Sequence, residues 1–145
     1  MTTHELLTAD HEAIRKLATR LQAAAKKPLQ TFSDLLTGLQ QAVQKHFRRE
    51  EVYYRTLDDG KRIQDRDLMH TLRNDHAAVI FSLESLAIRL RKNGYNPEWQ
   101  KRLDGMLAVL LPHLDQEEKT LFPKGATLLS PAEMKSIQEQ IETIE

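Results

Sequence analysis

The chain says nearly the same thing twice. Asp10-His11-Glu12-Ala13-Ile14 is followed by His46-Phe47-Arg48-Arg49-Glu50-Glu51, and Asp75-His76-Ala77-Ala78-Val79 by His113-Leu114-Asp115-Gln116-Glu117-Glu118. The copies are offset by 65 residues (His11 to His76) and by 67 (His46 to His113). In each half a His and a Glu stand four apart, a spacing that puts both on one helix face, one turn from each other. A duplicated unit of this kind constrains the fold to helices whose polar spots meet, because each unit falls within an apolar stripe.

The flanking residues carry the helical pattern over the rest of the chain. Thr2 and Glu5 form a capping box, and Leu7, Ile14, Leu17 and Leu21 share a stripe with His11. Lys26-Lys27-Pro28 is the expected end of this first helix. A second helix is predicted from about Phe32 to Leu57, with Leu35, Leu36, Leu39, Val43, His46, Glu50, Tyr53 and Leu57 inward and a stop at Asp58-Asp59-Gly60. The third turns Leu68, Leu72, His76, Val79, Ile80, Leu83, Leu86 and Leu90 inward and closes at Asn93-Gly94.

Asn96-Pro97 starts the fourth helix, with Leu103, Met106, Leu110, His113, Glu117 and Leu121 inside, Trp99 as a packing or cap contact, and an expected end at Pro123. Pro112 removes one backbone hydrogen bond and is expected to bend it just before His113. Ser130-Pro131-Ala132-Glu133 caps a short fifth helix bearing Met134, Ile137, Ile141 and Ile144. That helix is expected to pack across the outside or to mediate dimerisation. Short connections make neighbours antiparallel, so the reading is all-α: an up-down-up-down four-helix bundle. One domain spans 1–145, with a metal-binding bundle over 2–123 and a C-terminal helix over 130–145.

Composition narrows the function classes. A chain of 145 residues with 40% hydrophobic residues suits a single core. Its 21 basic and 21 acidic residues cancel, leaving no net field to attract nucleic acid or an anionic membrane. The absence of cysteine excludes disulfides and thiolate metal sites. The N-terminus has neither a basic region nor an apolar run, and no apolar stretch approaches the roughly 20 residues needed to cross a bilayer. A cytoplasmic protein, monomer or homodimer, is the expectation.

Buried polar side chains need partners. His46 with Glu50, and His113 with Glu117, can reach one point on the bundle axis, while His11 and His76 stand alone on their helices. Antiparallel packing brings all six to one height. Four imidazoles and two carboxylates suit iron, manganese, copper or zinc better than calcium or magnesium. Six inward groups exceed the four that one tetrahedral Zn²⁺ uses, and two carboxylates can bridge two cations, so a pair of metals accounts for the set better.

The order His, His-x₃-Glu, His, His-x₃-Glu, carried by His11, His46, Glu50, His76, His113 and Glu117, resembles the haemerythrin-like, or HHE cation-binding, family. His113 to Pro123 is also similar to that family's fourth-helix ending. The resemblance covers about Thr2 to Pro123 and implies a four-helix bundle with a non-haem di-iron centre. It implies His11 and His46 on one iron, His76 and His113 on the other, Glu50 and Glu117 bridging, and a solvent-derived oxo or hydroxo bridge; zinc or manganese are the substitutes. The other four-helix di-iron class, with Glu-x-x-His pairs, has the reverse order. Oxygen-carrying haemerythrins place a fifth His one turn from the third-helix ligand, where this chain has Leu72, Arg73, Val79 and Ile80. That departure implies a near-symmetric site.

Other polar groups lie close to the six. His4 and Tyr53 each sit seven residues from a ligand position, on the same face, and antiparallel packing brings them together. Asp10, Asp75, Glu51 and Glu118 are one step off the ligand face, as acceptors for imidazoles or as solvated charge. His70 falls off the inner face. The leading expectation is a module that binds or senses O₂, NO or iron. The alternatives are a di-iron enzyme acting on peroxide or NO, and a structural zinc bundle.

Overall fold

The computed structural model describes residues 1–24, 27–59 and 66–145. Among them there is no strand. Helix α1 runs over Thr3–Gln22, α2 over Leu29–Asp59, α3 over Arg66–Asn93 and α4 over Pro97–Gln116. Glu117–Leu121 form a π-helical turn, after which α5 (Phe122–Leu128) and α6 (Pro131–Glu142) complete the chain. The four long helices make an antiparallel ring: α1 packs on α2, α2 on α3, α3 on α4, and α4 back on α1.

Local chemistry accounts for most helix ends. Thr2 and Glu5 form their capping box, Asn96 Oδ1 accepts from the Trp99 backbone N–H, and Ser130 pairs with Glu133 in a second box. Gly94 takes a positive φ of 68° and its N–H donates to Leu90 O, ending α3 in the left-handed conformation that glycine adopts without penalty. Helix α1 stops at Gln22, earlier than the expected Lys26-Lys27-Pro28, of which Lys26 lies outside the described residues. The stop at Asp58-Asp59-Gly60 holds as far as Asp59; Gly60 also lies outside them.

Pro123 does not end the helical run. Helix α4 passes through Pro112, gives way to the π turn, and continues as α5 to Leu128. Pro123 is the second residue of α5, directly after the π turn.

Two apolar clusters fill the ring, one on each side of a polar layer. Ile14, Val43, Phe47, Val79, Leu83, Leu110 and Leu114 belong to the first. Leu7, Tyr53, Tyr54, Leu72, Leu121 and Phe122 belong to the second, and Ile137 and Ile141 join it from α6. Helix α6 therefore lies across α1 and α2, tied by a hydrogen bond of 2.9 Å from Thr3 Oγ1 to Met134 O. Trp99 packs inside the first cluster, its indole N–H donating to Leu86 O at 2.9 Å. No helix among the described residues is long and apolar enough to cross a membrane.

Candidate metal centre

Between the two apolar clusters, six polar side chains converge from the four long helices and the π turn that follows α4. His11 on α1 and His46 on α2 face each other with their Nε2 atoms 3.0 Å apart. His76 on α3 and His113 on α4 do the same at 3.1 Å. Glu50 Oε1 lies 2.9 Å from His46 Nε2 and 3.1 Å from His76 Nε2. Glu117 Oε1 lies 3.3 Å from His11 Nε2 and 3.1 Å from His113 Nε2. Each carboxylate thus spans the two histidine pairs. All six positions singled out in the sequence come together, as two sets of donors: His11, His46, Glu50, Glu117, and Glu50, His76, His113, Glu117.

The donor atoms fit cations better than they fit one another. Glu50 Oε2 and Glu117 Oε1 are buried and make no hydrogen bond, although Glu117 Oε1 has two imidazole nitrogens within 3.3 Å. Close approach without hydrogen-bond alignment arises when several donors aim at a common point between them. A buried carboxylate oxygen left unpaired is costly, and a cation shared with the imidazoles removes that cost.

Packed this closely, the buried groups shift one another's protonation. Burial raises the Glu50 carboxyl well above its usual range, and the neighbouring Glu117 raises it further. For Glu117, burial is outweighed by the close approach of Glu50, His11 and His113, which holds it well below the carboxylate range. Burial would lower His113, but Glu117 and Glu50 bring it up to about 10. His76 goes the other way, to about 3, through burial and repulsion from His113. Glu117 and His113 are thus shifted toward their charged forms and Glu50 and His76 toward their neutral ones.

A ring of acids anchors the imidazoles from outside. His11 Nδ1 lies 3.1 Å from Glu118 Oε2, His46 Nδ1 3.0 Å from Asp10 Oδ2, and His113 Nδ1 3.1 Å from Asp75 Oδ2. An acceptor on Nδ1 selects the tautomer that presents the Nε2 lone pair to a metal. Arg15 in turn pairs with Glu118, and Arg49 Nη1 donates to Asp10 Oδ1 at 2.7 Å. Three of the four flanking acids marked in the sequence act as orienting acceptors. Glu51 instead keeps loose company with Arg55 and Arg73, at 3.9 and 4.0 Å.

Tyr54 and Phe47 complete the site and were missed in the sequence. The Tyr54 hydroxyl donates to Glu117 Oε2 at 2.6 Å and lies 3.3 Å from His76 Nε2. Its position four after Glu50 places it on the ligand face, a signal that was available. Burial, with Glu50 and Glu117 adding to it, keeps its phenol protonated. The Phe47 ring stacks on His76 at 3.8 Å between centroids, 11° from parallel. It had no such signal, since it stands one step after His46.

The remaining candidates fall near the centre or outside it. Tyr53 is buried and hydrogen-bonded to His4 Nε2 at 2.7 Å, as the antiparallel register predicts. His70 is exposed beside Asn74. Of the four positions one turn from His76, Leu72 and Val79 are core residues, Ile80 packs on the core, and Arg73 pairs with Asp58. None offers a fifth imidazole. A groove of about 780 Å³ between α2 and α3, lined by Phe47, Arg48, Arg73, Ile80 and Phe81, opens onto His76.

The family model described as the hemerythrin HHE cation binding domain matches residues 2–125. No curated protein and no solved structure matches the chain.

Proposed function

The chain belongs to the hemerythrin HHE cation-binding domain family, and from that membership we propose that it holds a pair of irons and uses them to bind or sense a small diatomic ligand, O₂ or NO. The observation that carries this reading is a pair of buried glutamates, Glu50 and Glu117, each with one oxygen that makes no hydrogen bond, among four imidazoles whose Nε2 atoms face them. His11 and His46 would hold one cation, His76 and His113 the other, with Glu50 and Glu117 shared. Mixed nitrogen and oxygen donors favour a transition metal over calcium or magnesium, and the resemblance in ligand order favours iron among them. When bound, the metals would supply open coordination positions and one-electron chemistry.

The protein's own part is to shape and shield that centre. Glu50 and Glu117 offset the charge of two close cations. Asp10, Asp75 and Glu118 hold three imidazoles in the orientation that presents Nε2. Tyr54 fixes the second oxygen of Glu117. The apolar clusters above and below exclude water along the axis, and the groove beside His76 leaves a lateral way in for a small molecule.

The test is anaerobic loading of the apoprotein with Fe(II), followed by exposure to air. The expected result is two irons per chain and the absorption bands of an oxo-bridged ferric pair, both reduced in Glu50→Ala and Glu117→Ala. Protein isolated with one equivalent of zinc, and taking up no iron, would overturn the proposal. Sustained turnover of peroxide or NO by the loaded protein would replace it with an enzymatic reading.

A further inference from the structure

Resting on the reading above, we propose that the two halves of the centre bind metal unequally: the His11/His46 half is the tight, first-loaded site and the His76/His113 half the exchangeable one. The sequence repeat suggests equivalence, and Asp10 and Asp75 keep it, at 3.0 and 3.1 Å from a histidine Nδ1; the structure breaks it at the other residues that support the imidazoles.

The support of the first half is complete. His11 and His46 are fully buried, and each Nδ1 has a carboxylate acceptor. Each of those carboxylates is held by an arginine, Glu118 by Arg15 and Asp10 by Arg49. In the second half, His113 has Asp75, for which no arginine partner appears among the described residues. His76 has no acceptor on Nδ1 among them and is 13% exposed, its ring stacked on Phe47 and Tyr54.

The difference can be traced to individual positions in the repeat. Arg15, four after His11, corresponds to Ile80, four after His76; Arg49, three after His46, corresponds to Gln116, three after His113. Both clamping arginines are thus absent from the second copy. Glu118, which reaches His11, corresponds to Glu51, which does not reach His76. Glu51 is instead flanked by Arg55 and by Arg73, itself paired with Asp58.

Preorganised imidazoles bind metal with less ordering to do. Loss of a supporting acceptor costs on the order of 10- to 100-fold in metal affinity. The weak half also faces the groove between α2 and α3, so it is the half from which a metal can leave or at which an incoming ligand arrives first.

The experiment is a stepwise titration of the full-length apoprotein with Co(II), read by visible absorption and by elemental analysis after dialysis. Two steps of one equivalent each are expected, the second weaker by about 10-fold or more. His76→Ala should abolish the weak step and spare the tight one; His11→Ala should do the reverse. Glu118→Gln should weaken the tight step by about 10-fold and leave the weak one in place, a selectivity that general destabilisation would not produce. A single step of two equal equivalents in the wild-type protein overturns this inference alone, and needs no variant to fold. Loss of the tight step in a helical His76→Ala protein also overturns it. Failure of the wild-type protein to take up any metal overturns the functional reading, and this inference with it.

Discussion

Gly125 shows how one missing side chain positions a neighbour of the centre. A Cβ placed there would overlap the Tyr53 hydroxyl and come within 2.8 Å of its Cζ, atoms of a buried ring rather than the tip of a flexible chain. Gly125→Ala gains about 1 kcal/mol in helix propensity but overpacks a filled site, at about 1–3 kcal/mol. Overpacking wins, so the variant should be destabilised by about 1 kcal/mol, with the Tyr53–His4 hydrogen bond broken. Thermal denaturation of Gly125→Ala, Tyr53→Phe and the double variant checks this, and the double variant should recover part of the loss. The six inward donor positions were legible because each breaks an apolar stripe at helical spacing. The room that Gly125 leaves for Tyr53 was not, because 72 residues of chain separate the two.

Helix α6 depends on its cap. It has twelve residues and buries only Ile137 and Ile141, too short to be stable in isolation. Ser130 Oγ accepts from the Glu133 N–H at 3.2 Å, and Glu133 Oε1 accepts from the Ser130 N–H at 3.0 Å. Ser130→Ala should cost about 1 kcal/mol, and hydrogen exchange should show faster opening confined to α6. Caps of this kind are read directly from sequence, because their partners lie three residues apart. The end of the fourth helix was misjudged for the opposite reason. Pro123 looks like a stop, yet the chain continues through it as α5, directly after the π turn over Glu117–Leu121. Wider turns of this sort cluster at functional sites, and this one begins at Glu117, one of the six converging side chains.

Acid should loosen the bundle through the acids that anchor the imidazoles. Burial pushes Asp10 up, but His46 and Arg49 outweigh it and leave its carboxyl below the usual range. Burial is likewise outweighed for Glu118 by Arg15 and His11. Carboxyls depressed in the folded state stabilise it fully above their unfolded value, about 4, and lose that contribution as pH falls through the folded value. The thermal midpoint of the apoprotein should therefore drop on acidification below about pH 4. Circular dichroism melts across that range check it, and Arg15→Ala, which removes part of the depression of Glu118, should make the drop smaller.

Helix periodicity, capping pairs and the His-x₃-Glu spacing are local properties, each determined by residues within a turn or two of one another. From them alone follow the four-helix bundle, the family resemblance and the six inward donors. Whether a flanking acid orients a histidine or sits in solvent is decided elsewhere. Glu51 and Glu118 hold matching places in the two copies, yet only Glu118 meets a histidine, 107 residues away on α1. That outcome rests on which arginine stands across the helix interface, Arg15 beside one acid and Arg73 near the other. Interface distances of a few ångströms are a property of the packed bundle, so the asymmetry of the centre exists only once the helices are together.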